Sequence, residues 1–132
     1  MARRALIVGC ALVAGLVASG CGSNGVQLSS DDPNHTGAVL FAEHCAGCHT
    51  LKVAGTEGSA SDVKDRERTD GPNFDTRQEG IPDVLYAIRN GGFSGAIMPE
   101  NIVTGGQAFA IARFLSKYAG RKAHTLQPIP TP

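Results

Sequence analysis

The sequence predicts an all-α domain of about three helices. Three apolar patterns at helical spacing carry that prediction, and no stretch shows the period-two alternation of a half-buried strand or an internal repeat. A chain of 132 residues, 42% hydrophobic and 18% charged, suits one globular domain rather than a disordered polyampholyte or a membrane bundle. Twelve Lys and Arg balance twelve Asp and Glu. With no basic surface implied, nucleic acid is not an expected partner, and a monomer is the expected state.

The first helix is predicted over Gly37 to about Cys48, with Thr36 as N-cap and Val39, Leu40 and Phe41 on its apolar side. The second opens with Pro82 in its first turn, carries Val84, Leu85 and Ile88, and stops at Gly91 and Gly92. The third runs from about Gly106 to Ala119, with Phe109, Ala110, Phe114, Leu115 and Tyr118 as its apolar set. All aromatic residues fall within 37–120, which marks that span as the folded domain. Residues 21–36 are mostly polar and read as a flexible tether, with an r.m.s. span of roughly 20 Å and a limit of roughly 50 Å. Residues 121–132, rich in Pro, read as a frayed tail. Three short helices make a thin core, so a large apolar cofactor is expected to add buried surface.

Residues 1–20 read as an export signal. Arg3 and Arg4 form a basic start, and Ala5 to Ala18 is an unbroken run of small and apolar residues. That run is shorter than the roughly 20 residues a transmembrane helix needs. It ends Val17-Ala18-Ser19-Gly20-Cys21, which resembles a bacterial lipobox, with Ala18 where Leu is usual. The resemblance implies cleavage before Cys21 and a diacylglycerol on its thiol. The expected location is then the extracytoplasmic face of the bacterial cytoplasmic membrane, held there by lipid. A plain signal, leaving Cys21 as a free thiol, is the alternative. Cleavage also removes Cys10 and leaves Cys45 and Cys48 as one close pair.

Cys45-Ala46-Gly47-Cys48-His49 is C-x-x-C-H, the attachment signature for c-type haem. Residues i and i+3 of a helix share a face, so both sulfurs reach the vinyl groups along one porphyrin edge. His49, at i+4 from Cys45, shares that face and directs its imidazole at the iron. Structural zinc needs four ligands, and His35, His44 and His124 are poorly spaced to complete a site with one Cys pair. A thioredoxin-like redox pair would need a βαβ context, of which there is no sign.

With these residues in place, the span 37–120 resembles a class I c-type cytochrome. Gly37 and Phe41 match the family's N-terminal helix, where a Gly allows close crossing of the C-terminal helix, and Ile111 and Phe114 match the face it crosses. Gly71-Pro72-Asn73-Phe74 resembles the segment whose Pro carbonyl accepts a hydrogen bond from the proximal His, a bond that fixes the ring's tautomer. Met98-Pro99 falls in the loop where the family places its second axial ligand. The resemblance therefore implies a small cytochrome c fold wrapped around one haem c. Cys45 and Cys48 would form its thioethers, His49 and Met98 would be the axial iron ligands, and Pro72 would support His49. His35, His44 and His124 are rival sixth ligands, and Arg89, Tyr86 and Asn101 are candidates to hold the haem carboxylates.

The implied role is electron carriage, not enzymatic catalysis, because both axial positions are filled by protein. The implied partners are a quinol-oxidising complex or dehydrogenase on one side and a terminal oxidase on the other. The alternatives are a five-coordinate haem protein that binds gases or acts as a peroxidase, and a fixed haem subunit of a larger respiratory complex. The highly charged stretch Lys52 to Asp70 is longer than in short members of the family, and reads as a solvated insertion or a docking surface.

Overall fold

Helix α1 (His35–Cys45) begins two residues earlier than the sequence pattern suggests. In the computed structural model, which describes residues 25–93 and 97–121, an Asx turn precedes it. The Asp32 carboxylate accepts the Asn34 backbone N–H at 2.7 Å, and the His35 N–H donates to the Asp32 carbonyl at 2.9 Å. Asn34 is therefore the cap, and Thr36 lies inside the first turn. The helix ends at Cys45, yet the His49 N–H still reaches the Cys45 carbonyl at 3.0 Å, so residues 45–49 form one further turn.

Helix α2 (Ile81–Asn90) follows expectation. Pro82 sits in its first turn, where a missing N–H is harmless. Gly91 ends it in the left-handed conformation, φ 68°, with its N–H on the Ala87 carbonyl. Val84 and Ile88 are buried. Helix α3 (Gly105–Tyr118) buries Ala108, Ile111, Ala112, Phe114, Leu115 and Tyr118. Phe109, expected in the core, is instead 48% exposed. At 3.6 residues per turn it shares the outward face with Arg113 and Ser116, both exposed.

Helix α3 packs against both α1 and α2. The α1 crossing is closest at Gly37, where a Cβ would collide with the Ala110 carbonyl oxygen and lie 2.7 Å from the Phe114 Cβ. Phe41 and Phe114, almost fully buried, meet with ring centroids 5.9 Å apart.

A small hairpin follows the α1 turn, against the expectation of no strand. Strands β1 (Thr50–Leu51) and β2 (Thr56–Glu57) pair antiparallel, Thr50 opposite Glu57 and Leu51 opposite Thr56. At two residues each they are too short to show an alternating pattern. Side chains hold the hairpin: the Leu51 N–H donates to buried Thr56 Oγ1 at 2.9 Å, and the Lys52 N–H donates to Asp75 Oδ1 at 2.9 Å. Residues 61–69 are exposed, with a 3₁₀ turn at Val63–Asp65, as a solvated insertion would be.

The expected flexible tether is in part a strap. Val26 and Leu28 pack against the core, the Gln27 N–H donates to the Val53 carbonyl at 2.9 Å, and Tyr118 Oη donates to Asp32 Oδ2 at 2.5 Å. The polar composition hid two apolar anchors that share a surface with the hairpin. The expected export signal at 1–20, Cys21 and residues 122–132, His124 among them, lie outside the described residues. Among the described residues no helix is long and apolar enough to cross a membrane.

The strap makes a titration prediction. The Tyr118 hydroxyl and the Asn34 N–H both donate to Asp32 and hold its carboxyl below the ordinary 3.8. Between that lowered value and 3.8 the unfolded chain binds more protons, so this contribution to stability is complete above 3.8 and is lost as pH falls through the folded value. Carboxyl NMR is expected to show Asp32 titrating below the usual carboxylate range and moving up in Tyr118→Phe. An ordinary Asp32 titration in the wild type would remove the bond.

Candidate functional site

The turn after α1 and the loops before and after α2 enclose a cavity of about 370 Å³. Phe41, Phe74, Val84, Ile88, Ile111 and Leu115 give it an apolar wall from all three helices. Cys45, Cys48, His49, Pro72 and Met98 line the same space, so the structure brings together all the expected site residues that lie within the described span.

His49 is buried and held on two sides. Its Nδ1–H donates to the Pro72 carbonyl at 3.1 Å. Because a carbonyl only accepts, this bond puts the proton on Nδ1 and leaves the lone pair on Nε2. The Phe74 ring stacks on the imidazole, centroids 4.9 Å apart and planes inclined 17°. Burial lowers the His49 pKa, the Pro72 bond raises it, and nearby Arg77 lowers it; the net direction is down. The ring is thus neutral at neutral pH and able to ligate a metal through Nε2.

Gly71 makes this arrangement possible. A Cβ there would lie 2.5 Å from His49 Nδ1, so any other residue would push the ring off the Pro72 carbonyl. The Gly71 N–H also ties the segment to the Cys48 carbonyl at 2.7 Å. Gly58 does the same on the other flank, where a Cβ would collide with the Ala46 carbonyl oxygen and lie 2.7 Å from the Cys48 nitrogen. Neither glycine had a role assigned from the sequence. Close backbone approach leaves no local pattern, and only the G-P dipeptide at 71–72 hinted at it.

The two cysteine thiols are free and half-buried. Burial, and then the neighbouring Cys48, push the Cys45 thiol up to about 12. A thiol that resists ionisation is a poor redox nucleophile. Among the described residues, no group of three or more His, Cys, Asp and Glu is placed to hold a metal ion.

Met98 is half-buried. Its loop is tied to the end of α2: the Asn101 N–H donates to the Ile88 carbonyl at 2.8 Å, and a Cβ on Gly91 would sit 2.7 Å from the Met98 carbonyl oxygen. Of the rival histidines, His35 opens α1 instead of lying in a tether, and His44 is exposed but reaches the cavity rim.

The side chains at the rim differ from the candidates named for the haem carboxylates. Arg66, Arg68 and Arg77 line the cavity, in place of Arg89, Tyr86 and Asn101. Arg77 is paired with Glu79, Nε to Oε1 2.5 Å. Two of the three belong to the charged insertion, which thus reaches the site, although its sequence showed only a solvated stretch.

An apolar cavity closed by three helices, with one neutral imidazole, two thiols and one thioether on its wall, defines a small c-type haem protein. The chain belongs to the cytochrome c family, whose model matches residues 35–119. It is similar to the c-type cytochrome SorU from Sinorhizobium meliloti, at 31% identity over 66% of this chain and 91% of that one, with a TM-score of 0.47. No curated protein gives a significant match. Family membership establishes an electron-transfer protein with covalently bound haem c and its iron. The cavity fits that group, offering apolar walls for the ring, cations at the rim for its carboxylates, and two free thiols on its wall.

Proposed function

We propose that this chain is a lipid-anchored, extracytoplasmic monohaem cytochrome that passes single electrons between respiratory partners. The observation that carries the reading is the placement of His49, its Nδ1 proton given to Pro72, and of Met98 on the wall of one cavity with the thiols of Cys45 and Cys48. When bound, haem c supplies an iron that alternates between two oxidation states.

The residues do the rest. Cys45 and Cys48 hold the ring by thioethers. His49 and Met98 would supply the nitrogen and sulfur donors to its iron, which would leave no open site for substrate. A thioether is a soft donor that favours the reduced metal, so Met98 would set a high potential. Phe41, Phe74, Ile111 and Leu115 exclude water, and Arg66, Arg68 and Arg77 balance the haem carboxylates. Residues 1–20 direct export and a diacylglycerol on Cys21 holds the protein at the membrane; two acyl chains suffice for stable attachment. The donor is a quinol-oxidising complex or dehydrogenase and the acceptor a terminal oxidase, by family resemblance.

Substitution of Met98 tests this. In Met98→Ala the weak sulfur-to-iron band of the ferric protein is expected to vanish, and the potential to fall within the roughly 0.8 V that axial ligands span. Reduced wild-type protein should bind carbon monoxide slowly and incompletely, the variant rapidly. Survival of the band would disqualify Met98, and rapid binding by the wild type would favour the gas-binding or peroxidase alternative. A stable complex surviving mild detergent extraction would favour the fixed-subunit reading.

A further inference from the structure

The segment before α1 decides how an anchored domain would stand on a membrane. A free tether from Cys21 to Gly37 would allow a separation of up to roughly 50 Å. In the structure the chain is already fixed to the domain at Gly25. The Gly25 backbone lies so close to Gly55, φ 70°, that a Cβ on Gly55 would collide with the Gly25 carbonyl. Gln27 then bonds to Val53, Val26 and Leu28 pack on the core, and Asp32 accepts the Tyr118 hydroxyl. Four peptide steps separate Cys21 from Gly25, a reach of roughly 14 Å at most.

We infer that residues 25–34 form a strap that sets the hairpin turn, Lys52 to Gly55, against the lipid surface and keeps the Cys45–Cys48 end of the domain away from it. The inference rests on acylation of Cys21, as proposed above. The hairpin supplies the direction. Its turn meets Gly25, whereas beyond β2, roughly 10 Å along the strand, Gly58 packs on the backbone of Ala46 and Cys48. The haem-bearing turn is therefore at the far end of the hairpin from the anchor. A partner in the aqueous compartment, or one projecting above the bilayer, then meets the haem end without the domain having to turn over.

Neutron reflectometry of the mature lipoprotein in a supported bilayer tests the strap. The gap between headgroups and protein is expected to stay within roughly 14 Å in the wild type. It should widen at least two-fold when Val26→Ser, Leu28→Ser and Asp32→Ala are combined. A second variant, with about ten Gly and Ser residues inserted between Asn24 and Gly25, leaves the strap intact and should widen the gap similarly. An unchanged visible spectrum shows that each variant is folded. If the mature mass includes the lipid but the wild type stands as far off as the insertion variant, the strap fails and anchoring survives. If the mass lacks the lipid, anchoring itself fails and the orientation falls with it.

Discussion

Gly37→Val is expected to leave little folded, haem-loaded protein. The β-carbon alone would collide with the Ala110 carbonyl oxygen and lie 2.7 Å from the Phe114 Cβ, and one of these obstacles is backbone. Neither can move aside by changing rotamer. Overpacking of a close core contact costs about 1–3 kcal/mol, and more where helices must separate. A domain of this size has only about 5–12 kcal/mol in total, so the loss is a large share. Gly37→Ala sharpens the test. In an ordinary helix Gly→Ala gains up to about 1 kcal/mol. Here the sign should reverse, because α1 and α3 cannot stay at their present separation. Thermal unfolding of the purified holoproteins measures this, and an alanine variant at least as stable as the wild type would show that the crossing tolerates a side chain.

The paired substitution Cys45→Ser, Cys48→Ser is expected to have a still larger effect. Haem should no longer survive a denaturing gel, and the mature mass should lack the porphyrin. Much of the fold should go with it. The apolar wall of a cavity of about 370 Å³ would lose its covalently held filling. Loss of the apolar surface that the ring would bury puts several kcal/mol at stake, comparable to the stability of the whole domain. Each single serine variant should keep one thioether and an intermediate stability. Haem retained through denaturation in the double variant would mean that other residues attach it.

Much of this site was legible from one pentapeptide and two dipeptides. Cys45 to His49, Gly71-Pro72 and Met98-Pro99 lie far apart in the chain yet line one cavity. They stand out in the sequence because the covalent attachment and iron ligation proposed for them demand particular atoms, and few residue types carry them. The second helix was equally plain, since Pro82 and Gly91 act locally through φ. Phe109 was misread because a residue near the edge of an apolar stripe faces inward or outward according to where neighbouring helices lie.

The sequence by itself determined the helical class and the cofactor, since these follow from side-chain chemistry and local periodicity. Only the tertiary structure decided which cations reach the rim, why Gly58 and Gly71 must be glycine, and that a polar segment docks as a strap. Those outcomes depend on which distant backbones come within a few ångströms of each other, and such proximity is set by the packing of the whole core.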